Sequence, residues 1–372
     1  MTETSTATPF SYTNTHLSSN VSRNSSLNRN EDEYAQVRQF LHTMSIIVFC
    51  LAFIFGVLGN GLVIWVIGFK MKLNATTFWF LNLAVADILF TAFLPLSVVH
   101  TTMHYHWPFS KFMCKFHSTN YVLNMFASVY ILVIISVDRC VCVVWPVWAQ
   151  NHRSVRKASC VSVGVWVLAV VLSAPHFFLR DTAPSYHNRD IIYCYNNYAF
   201  SDGFVTPSVL QLRHRAMTIS RIIFGFVVPF TVIVSSYAVI IYCLRNHAFA
   251  NQSGRTFKII IAIIITFFLC CVPYHIMTLI DMLRMHMAKP PKSLVHVLVI
   301  GAPIATSLAY FNSCMNPLLY VFIGHDFKNK VCKSVLKILE NAFQEEGSRS
   351  QTYTKTVTTS QSKDKSVSDT MV

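Results

Sequence analysis

Long apolar segments recur along this chain, separated by short polar ones. Seven are at least about 20 residues long, the length at which a helix crosses the hydrocarbon core of a bilayer. Their approximate bounds are 43–68, 77–101, 121–145, 158–179, 217–244, 257–283 and 294–323. Lipid offers the backbone no hydrogen bonds, and these segments do not alternate as barrel strands do. The pattern therefore predicts an all-α membrane protein, a seven-transmembrane helix bundle over residues 43–323.

Three flanking segments complete the predicted organisation. Residues 1–42 are rich in Ser, Thr and Asn and lack the apolar core of a cleavable signal peptide, so the first helix is expected to direct insertion. Residues 324–340 carry apolar side chains near helical spacing with lysines between them, which predicts a short amphipathic eighth helix on the inner membrane surface. Residues 341–372 are polar and rich in Ser and Thr, which predicts a disordered, phosphorylatable tail.

Charge gives the orientation of the bundle. Only 12% of the residues are charged and 53% are hydrophobic, yet the formal net charge is +14. Lysines and arginines follow spans one, three, five and seven, so these ends are predicted to face the cytoplasm. The basic balance thus reflects topology and attraction to anionic membrane lipids, not nucleic-acid binding. The amino terminus is then extracellular, where Asn20 and Asn24 begin glycosylation sequons.

Cysteine placement is consistent with this topology. Of the 11 cysteines, only Cys114, at the outer start of span three, and Cys194, in the long loop after span four, fall on the oxidising side. The pair predicts a disulfide bond, and the alternative is two free extracellular thiols.

Polar residues inside the spans are candidates for function, because they are costly in lipid. Asp87 lies in span two, Asn124 and Ser128 are four apart in span three, and Asn312 and Asn316 are four apart in span seven. Residues four apart share one helix face. If these faces converge on Asp87, they form an oxygen-rich cage suited to a small hard cation; otherwise the groups simply hydrogen-bond to one another.

Asp138 and Arg139 stand side by side at the cytoplasmic end of span three. Ser128 and Arg139 are eleven residues apart, about 16 Å along a helix, so the pair lies below the polar cage. Arg139 could exchange Asp138 for another partner, as in a conformational switch. The alternative is a static ion pair at the membrane rim with a snorkelling arginine.

Arg221 lies in the outer half of span five, about 12 Å above Pro229. An inward-facing guanidinium is a good docking point for a carboxylate, which it can grip with two hydrogen bonds. Asp281 and Arg284 lie at the outer end of span six. The alternatives for Arg221 are snorkelling to the interface or pairing with Asp281.

Enzymatic chemistry has no support in the sequence. We find no HExxH pair on a helix, no phosphate-binding loop and no nucleophile elbow, so the chain is not predicted to be an enzyme. A transporter or channel would need charge lining the whole bundle. Here charge is confined to one acid at mid-depth and to the two rims.

Several motifs together resemble the rhodopsin-like (class A) G-protein-coupled receptors over all seven spans. They include "GNGLVIW" with Asn60, "LNLAVAD" with Asp87, Cys114, Asp138-Arg139, Trp166, Pro229 with Tyr237, Pro273, and "NPLLY" with Asn316, Pro317 and Tyr320. The segments "DRCVCVVWPVWAQNHRSVR", "FFLRDTA" and "NSCMNPLLYVFIGHDFK" are similar to the chemoattractant branch that contains the formyl-peptide and chemerin receptors.

The resemblance implies a plasma-membrane receptor for a chemerin-like chemoattractant peptide or protein. It implies signalling through inhibitory-class G proteins and arrestin. Arg139 would leave Asp138 on activation to meet Tyr237, and the Asp87 cage would hold an allosteric sodium ion, with no other cofactor. The residues implied for ligand binding are Arg221, Asp281, Tyr121 and Tyr274, and those for the activation switch are Asp138, Arg139, Tyr237, Cys271, Pro273, Pro317 and Tyr320.

The sequence departs from the family pattern at Cys271. Family members usually carry Trp two residues before the span-six proline, and here "CCVPYH" places a thiol there. A thiol is far smaller than an indole, so the side chain that couples ligand contact to helix movement is absent or replaced by a neighbour. This departure supports an alternative function, a ligand-scavenging receptor of the same fold that does not signal.

Overall fold

The computed structural model describes residues 25–186, 188–199, 205–246, 254–285, 287 and 289–323. These residues form ten α-helices, one π-helical segment and two strands. The helices are α1 (Ser25–Lys70), α2 (Ala75–Thr91), α3 (Leu94–Thr102), α4 (Lys111–Val144), α5 (Pro146–His152), α6 (Val155–Leu179), α7 (Pro207–Ile222), α8 (Val228–Asn246), α9 (Gly254–Met285) and α10 (Lys292–Ile323). The strands are β1 (Arg180–Pro184) and β2 (Ile192–Asn196).

The prediction of seven transmembrane helices is confirmed. Among the described residues, seven apolar helical stretches are long enough to cross a membrane. They are Gln36–Lys70, Ala75–Thr102, Lys111–Val144, Val155–Leu179, Pro207–Cys243, Ile260–Met285 and Lys292–Leu319, and we number them spans one to seven. The predicted eighth helix, the tail, Asn20 and Asn24 lie outside the described residues.

Prolines explain two irregularities in the spans. Span two divides between Thr91 and Leu94, because Pro95 has no N–H and its ring would clash with the carbonyl of Thr91. In span five, Pro229 likewise cannot donate to the carbonyl of Gly225. The helix there widens into the π-helical segment Ile223–Val227. A π-bulge of this kind changes the direction of the side chains that precede it.

Span five begins earlier than predicted. The apolar segment starts near Met217, but the helix begins at Pro207, whose fixed backbone angle suits the first turn of a helix. Its first half is polar and partly exposed, so hydropathy gave no signal for it. The outer loop between spans four and five is therefore shorter than the apolar pattern predicted.

A β-hairpin in the outer loop was not predicted. β1 and β2 pair antiparallel, with Thr182 opposite Cys194. Each strand has only five residues, too few for a clear alternation of polar and apolar positions. The hairpin lies at the outer end of spans three and four, because β1 continues directly from span four and contacts span three.

Buried polar side chains join the spans to one another. Asn60 on span one donates to the backbone carbonyl of Ser313 on span seven at 2.9 Å. On span two, the Asn82 side-chain oxygen accepts from Ser162 at 2.5 Å and from Trp166 at 3.1 Å, both on span four. Because lipid is as apolar as the side chains, such hydrogen bonds carry part of the attraction between membrane helices.

Candidate functional site

The outer half of the bundle contains a group of aromatic side chains around Arg221. Arg221 donates from Nη1 to the Tyr274 hydroxyl at 3.3 Å, and its guanidinium carbon lies 5.5 Å from the centre of that ring. Tyr121 meets Tyr274 and Tyr310, with ring centres 5.5 Å apart in each pair. The structure therefore brings together Arg221, Tyr121 and Tyr274, three of the four predicted ligand-binding residues.

Arg180 is a second arginine of this region, and it is not among the residues predicted from the sequence. It is the first residue of β1, donates to the Cys194 carbonyl at 3.2 Å and lies close enough to Arg221 for the two charges to repel. Burial lowers the pKa of Arg180 to about 10, which leaves it charged at physiological pH. Its position depends on the hairpin, so no sequence pattern would have pointed to it.

These two arginines are incompletely satisfied. Nε of Arg180 and Nε of Arg221 are both buried and have no hydrogen-bond partner among the described residues. No carboxylate in that part of the chain forms an ion pair with either guanidinium. Two neighbouring half-buried cations without an anion are electrostatically unfavourable, and a bound carboxylate would relieve both the repulsion and the missing hydrogen bonds.

Asp281, the fourth predicted ligand-binding residue, forms an ion pair with a neighbour on its own helix. Its Oδ1 accepts from Nε of Arg284 at 3.0 Å and from Nη2 of Arg284 at 2.8 Å. The two residues are three apart on span six, so they share one helix face. The structure therefore pairs Asp281 with Arg284 and not with Arg221.

The predicted disulfide between Cys114 and Cys194 is present, with 5.8 Å between the Cα atoms. It attaches the hairpin to the outer end of span three. Next to it, Asp181 pairs with Lys111 at 2.7 Å. Burial raises the pKa of Asp181, but hydrogen bonds from Lys111, Asn197 and the Thr182 backbone outweigh that effect and hold the pKa below its usual range.

The predicted polar cage forms at mid-depth. Asn316 donates to Oδ2 of the fully buried Asp87 at 2.8 Å. Ser128 donates to Asn124 at 3.2 Å, and Asn124 donates to the Ser313 hydroxyl at 3.1 Å. Ser313, which no sequence motif singled out, follows Asn312 directly and lies near Asp87, so it joins the two halves of the cage.

The cage retains acceptor oxygens without donors. Oδ1 of Asp87, Oδ1 of Asn312 and Oδ1 of Asn60 are buried and have no hydrogen-bond partner among the described residues. Carboxylate, amide and hydroxyl oxygens are the ligands that hard cations prefer. This set of oxygens therefore fits a small hard cation such as sodium.

At the inner end of span three, Arg139 donates from Nη2 to Oδ2 of Asp138 at 2.5 Å and to the Thr76 hydroxyl at 2.9 Å. Arg153 also binds Asp138, a contact that was not predicted from the sequence. Tyr237 lies on span five beside Ser136, within electrostatic range of Arg139. The predicted members of the inner switch are thus neighbours in space.

The remaining predicted switch residues lie in spans six and seven. Pro273 is inside α9 and Pro317 is inside α10, and Cys271 is buried two residues before Pro273. A Cβ placed on Gly59 of span one would lie 3.0 Å from Pro317, so the kinked part of span seven packs closely against span one. The side chain of Tyr320 lies outside the described part of the structure.

Seven membrane-spanning helices, joined by buried polar contacts at mid-depth and carrying an arginine–aspartate cluster at the end of span three, define a class of protein, the seven-helix membrane receptors. Comparison with known families agrees, because residues 59–320 match the family model for seven-transmembrane receptors of the rhodopsin family. The chain belongs to that family, whose members are G-protein-coupled receptors. It is therefore a multi-pass protein of the plasma membrane and not an enzyme.

Individual relatives place the chain in one branch of the family. It is 45% identical over 309 residues to chemerin-like receptor 1 of Rattus norvegicus, covering 81% of this chain and 80% of the relative. It is 43% identical over 309 residues to the C3a anaphylatoxin chemotactic receptor of Danio rerio, with 83% and 80% covered. Chemerin-like receptor 2 of Homo sapiens is 36% identical over 300 residues, with 81% of each chain covered. The chain is thus a receptor of the chemerin-like and C3a chemoattractant branch.

Proposed function

We propose that this receptor binds a peptide or protein chemoattractant that ends in a carboxylate, and that it activates inhibitory-class G proteins. The amino terminus would be extracellular, with glycosylation at Asn20 and Asn24, and arrestin would recognise the phosphorylated tail. The names of the relatives, chemerin-like and C3a receptors, make chemerin and C3a the first ligands to test.

The observation that supports this proposal is the pair of half-buried arginines, Arg180 and Arg221, beside Tyr274. A terminal carboxylate between them would accept hydrogen bonds from both guanidinium groups. Tyr121 stands where amine receptors of the family place an aspartate, so the pocket lacks the counter-ion that a small cationic ligand needs. The surrounding tyrosines would pack against the last side chains of a peptide.

The test uses cells that express the full chain. Carboxy-terminal peptides of chemerin and of C3a are titrated while inhibition of cyclic-AMP production and arrestin recruitment are recorded in parallel. We expect a saturable fall in cyclic AMP that Arg139→Ala abolishes without removing the receptor from the cell surface. Saturable peptide binding without that fall would favour a scavenging receptor, with Cys271 as the residue to restore to Trp.

We further propose that sodium binds in the polar cage and favours the inactive receptor. The ligands would be Asp87, Ser128, Asn124, Asn312 and Asn316. These side chains belong to spans two, three and seven, so a cation bound by them would favour the arrangement in which Arg139 binds Asp138. A bound sodium ion would supply a positive charge that neutralises Asp87. The receptor state that binds sodium more tightly would then be stabilised by mass action.

The sodium proposal predicts an ion-dependent affinity. Replacing sodium with N-methylglucamine at equal ionic strength should raise the affinity of the activating peptide in membranes that contain the wild-type receptor. In Asp87→Asn the two salts should give the same affinity, because the charge that attracts the ion is gone. Equal affinities in the wild type would overturn the proposal, and potassium at the same concentration controls for screening.

A further inference from the structure

Asp138 is bound by two arginines. Besides the hydrogen bond from Arg139 to Oδ2, Arg153 donates from Nε to Oδ1 at 2.7 Å and from Nη2 to Oδ2 at 2.8 Å. Arg153 therefore grips the carboxylate with both sides of its guanidinium, whereas Arg139 holds one oxygen. A two-point contact of this kind is the stronger and more directional form of the arginine–carboxylate pair.

Arg153 reaches Asp138 from a different element. It lies in the connection between α5 and α6, and its backbone N–H ends α5 by donating to the Ala149 carbonyl at 3.0 Å. The next residue, Ser154, caps α6 by accepting from the Lys157 N–H at 3.3 Å. The backbone on both sides of Arg153 is thus held by the ends of two helices, and this fixes the position from which the Arg153 side chain extends.

Thr76, the second residue of α2, completes the cluster. Its hydroxyl oxygen accepts from Nη2 of Arg139 at 2.9 Å and from Nη2 of Arg153 at 2.6 Å. The three charged side chains are mostly enclosed, with 14% of Asp138, 13% of Arg139 and 26% of Arg153 exposed. The loss of a partner in such a place is costly, because an enclosed carboxylate that loses its counter-ion is poorly solvated.

Activation under the proposed function requires Arg139 to leave Asp138. With Arg139 as the only partner, that step would leave an enclosed carboxylate unpaired. We propose that Arg153 is a positioning residue that keeps Asp138 neutralised after Arg139 leaves, so that the inner switch opens without exposing an unpaired charge. Both oxygens of Asp138 and the Thr76 hydroxyl keep an Arg153 donor when Arg139 is gone.

The first test needs neither ligand nor G protein. Arg139→Gln imitates the departure of Arg139, and thermal unfolding of the solubilised full-length receptor is compared for Arg139→Gln, Arg153→Gln and the double variant. We expect small effects from each single change and a double variant whose apparent Tm falls by at least about 4 °C more than their sum. Adding Asp138→Asn to the double variant should restore most of that loss, because no charge then remains to be paired.

Additive changes, or a double variant that Asp138→Asn does not rescue, would overturn the proposal. Arg153→Lys separates charge from geometry, because lysine keeps the positive charge but cannot make the two-point contact with the carboxylate. Combined with Arg139→Gln, it should therefore lower the Tm less than Arg153→Gln does in the same combination. Arg156→Gln is the matched control. Arg156 is an exposed arginine on the first turn of α6, and its change should add nothing to Arg139→Gln.

The second test rests on the proposed function and measures nucleotide exchange on a purified inhibitory-class G protein, with the chemerin and C3a peptides as probes. Arg153→Gln should lower peptide-stimulated exchange several-fold at unchanged surface expression, while Arg156→Gln matches the wild type. Higher basal exchange in Arg153→Gln would instead identify Arg153 as a lock and contradict the proposal. If the wild type stimulates no exchange, the proposed function fails, and the unfolding comparison decides the role of Arg153 by itself.

Discussion

At the scale of single residues, arginines are used in opposite ways at the two ends of the bundle. At the outer end, Arg180 and Arg221 lie near each other and form no ion pair with a carboxylate among the described residues. At the inner end, Asp138 is shared by two arginines. An excess of cationic donors suits the capture of an external anion, whereas a shared carboxylate suits the exchange of partners within the protein.

Under the proposed function, the potency of the ligand depends on its free carboxylate, which the outer arginines would bind. Arg221→Ala should lower the potency of a carboxylate-ended peptide more than tenfold, about 1.4 kcal/mol or greater, because a charge-assisted contact is lost. The same peptide with a carboxamide end should already be weak on the wild type, and Arg221→Ala should weaken it little further. Cyclic-AMP assays with both peptides measure this difference.

Arg215→Ala is the control for this prediction, since Arg215 is exposed on the same helix and lies before the pocket. Equal potency of the carboxylate peptide on Arg221→Ala and the wild type would remove Arg221 from the binding site.

At the scale of elements, spans one and two approach each other closely at Gly56, which has no side chain. A Cβ on Gly56 would overlap the side chain of Thr91, which is fully buried and bonds to the Asp87 carbonyl at 2.8 Å. Thr91 is β-branched and stiff, so it cannot turn aside without breaking that hydrogen bond. The close approach also fixes the backbone that carries Asp87.

Gly56→Ala should therefore destabilise the receptor, by roughly 1 to 3 kcal/mol for an overpacked contact. Gly164→Ala is the matched control: Gly164 is in the middle of span four, with nothing within 4 Å of its added Cβ. This change should be neutral or slightly stabilising, because alanine favours the helix. Thermal unfolding of the two solubilised variants tests the contrast, and a Gly56→Ala variant as stable as Gly164→Ala would contradict it.

At the scale of the whole molecule, the disulfide connects span three to the hairpin that carries Arg180. The two cysteines are 80 residues apart in sequence, and closing a loop of that length is worth about 4 kcal/mol on the chain-entropy model. The hairpin also pairs Asp181 with Lys111 at the top of span three. Both contacts hold the hairpin at the end of span three.

Loss of the disulfide should abolish peptide binding at the cell surface. Cys114→Ser, Cys194→Ser and the double variant should be equally affected, because each removes the same bond. Cys160→Ser, a change at an exposed free cysteine of span four, should bind peptide as the wild type does. Binding retained by the double variant would show that the ion pair and the hairpin hold Arg180 in place without the disulfide.

Much of the site could be predicted because it lies on long helices with a fixed spacing. Asn124 and Ser128 share a face wherever the helix goes, and Asn312 and Asn316 do so too. The residues that sequence reasoning missed, Arg180 and Arg153, both lie at the junction of a helix with a loop. Their partners lie on other elements of the fold, and no helical periodicity connects such a side chain with a site that it reaches through space.

The sequence by itself determined the seven helices, the disulfide pair and the membership of a receptor family, because the bilayer permits few backbone structures and motif residues recur at set positions. Tertiary structure alone decided which polar groups share a proton or a charge. It placed Ser313 in the cage, paired Asp281 with Arg284 and gave Asp138 a second arginine. These pairings depend on the rotation of each helix and the course of each loop, which packing sets and composition does not record.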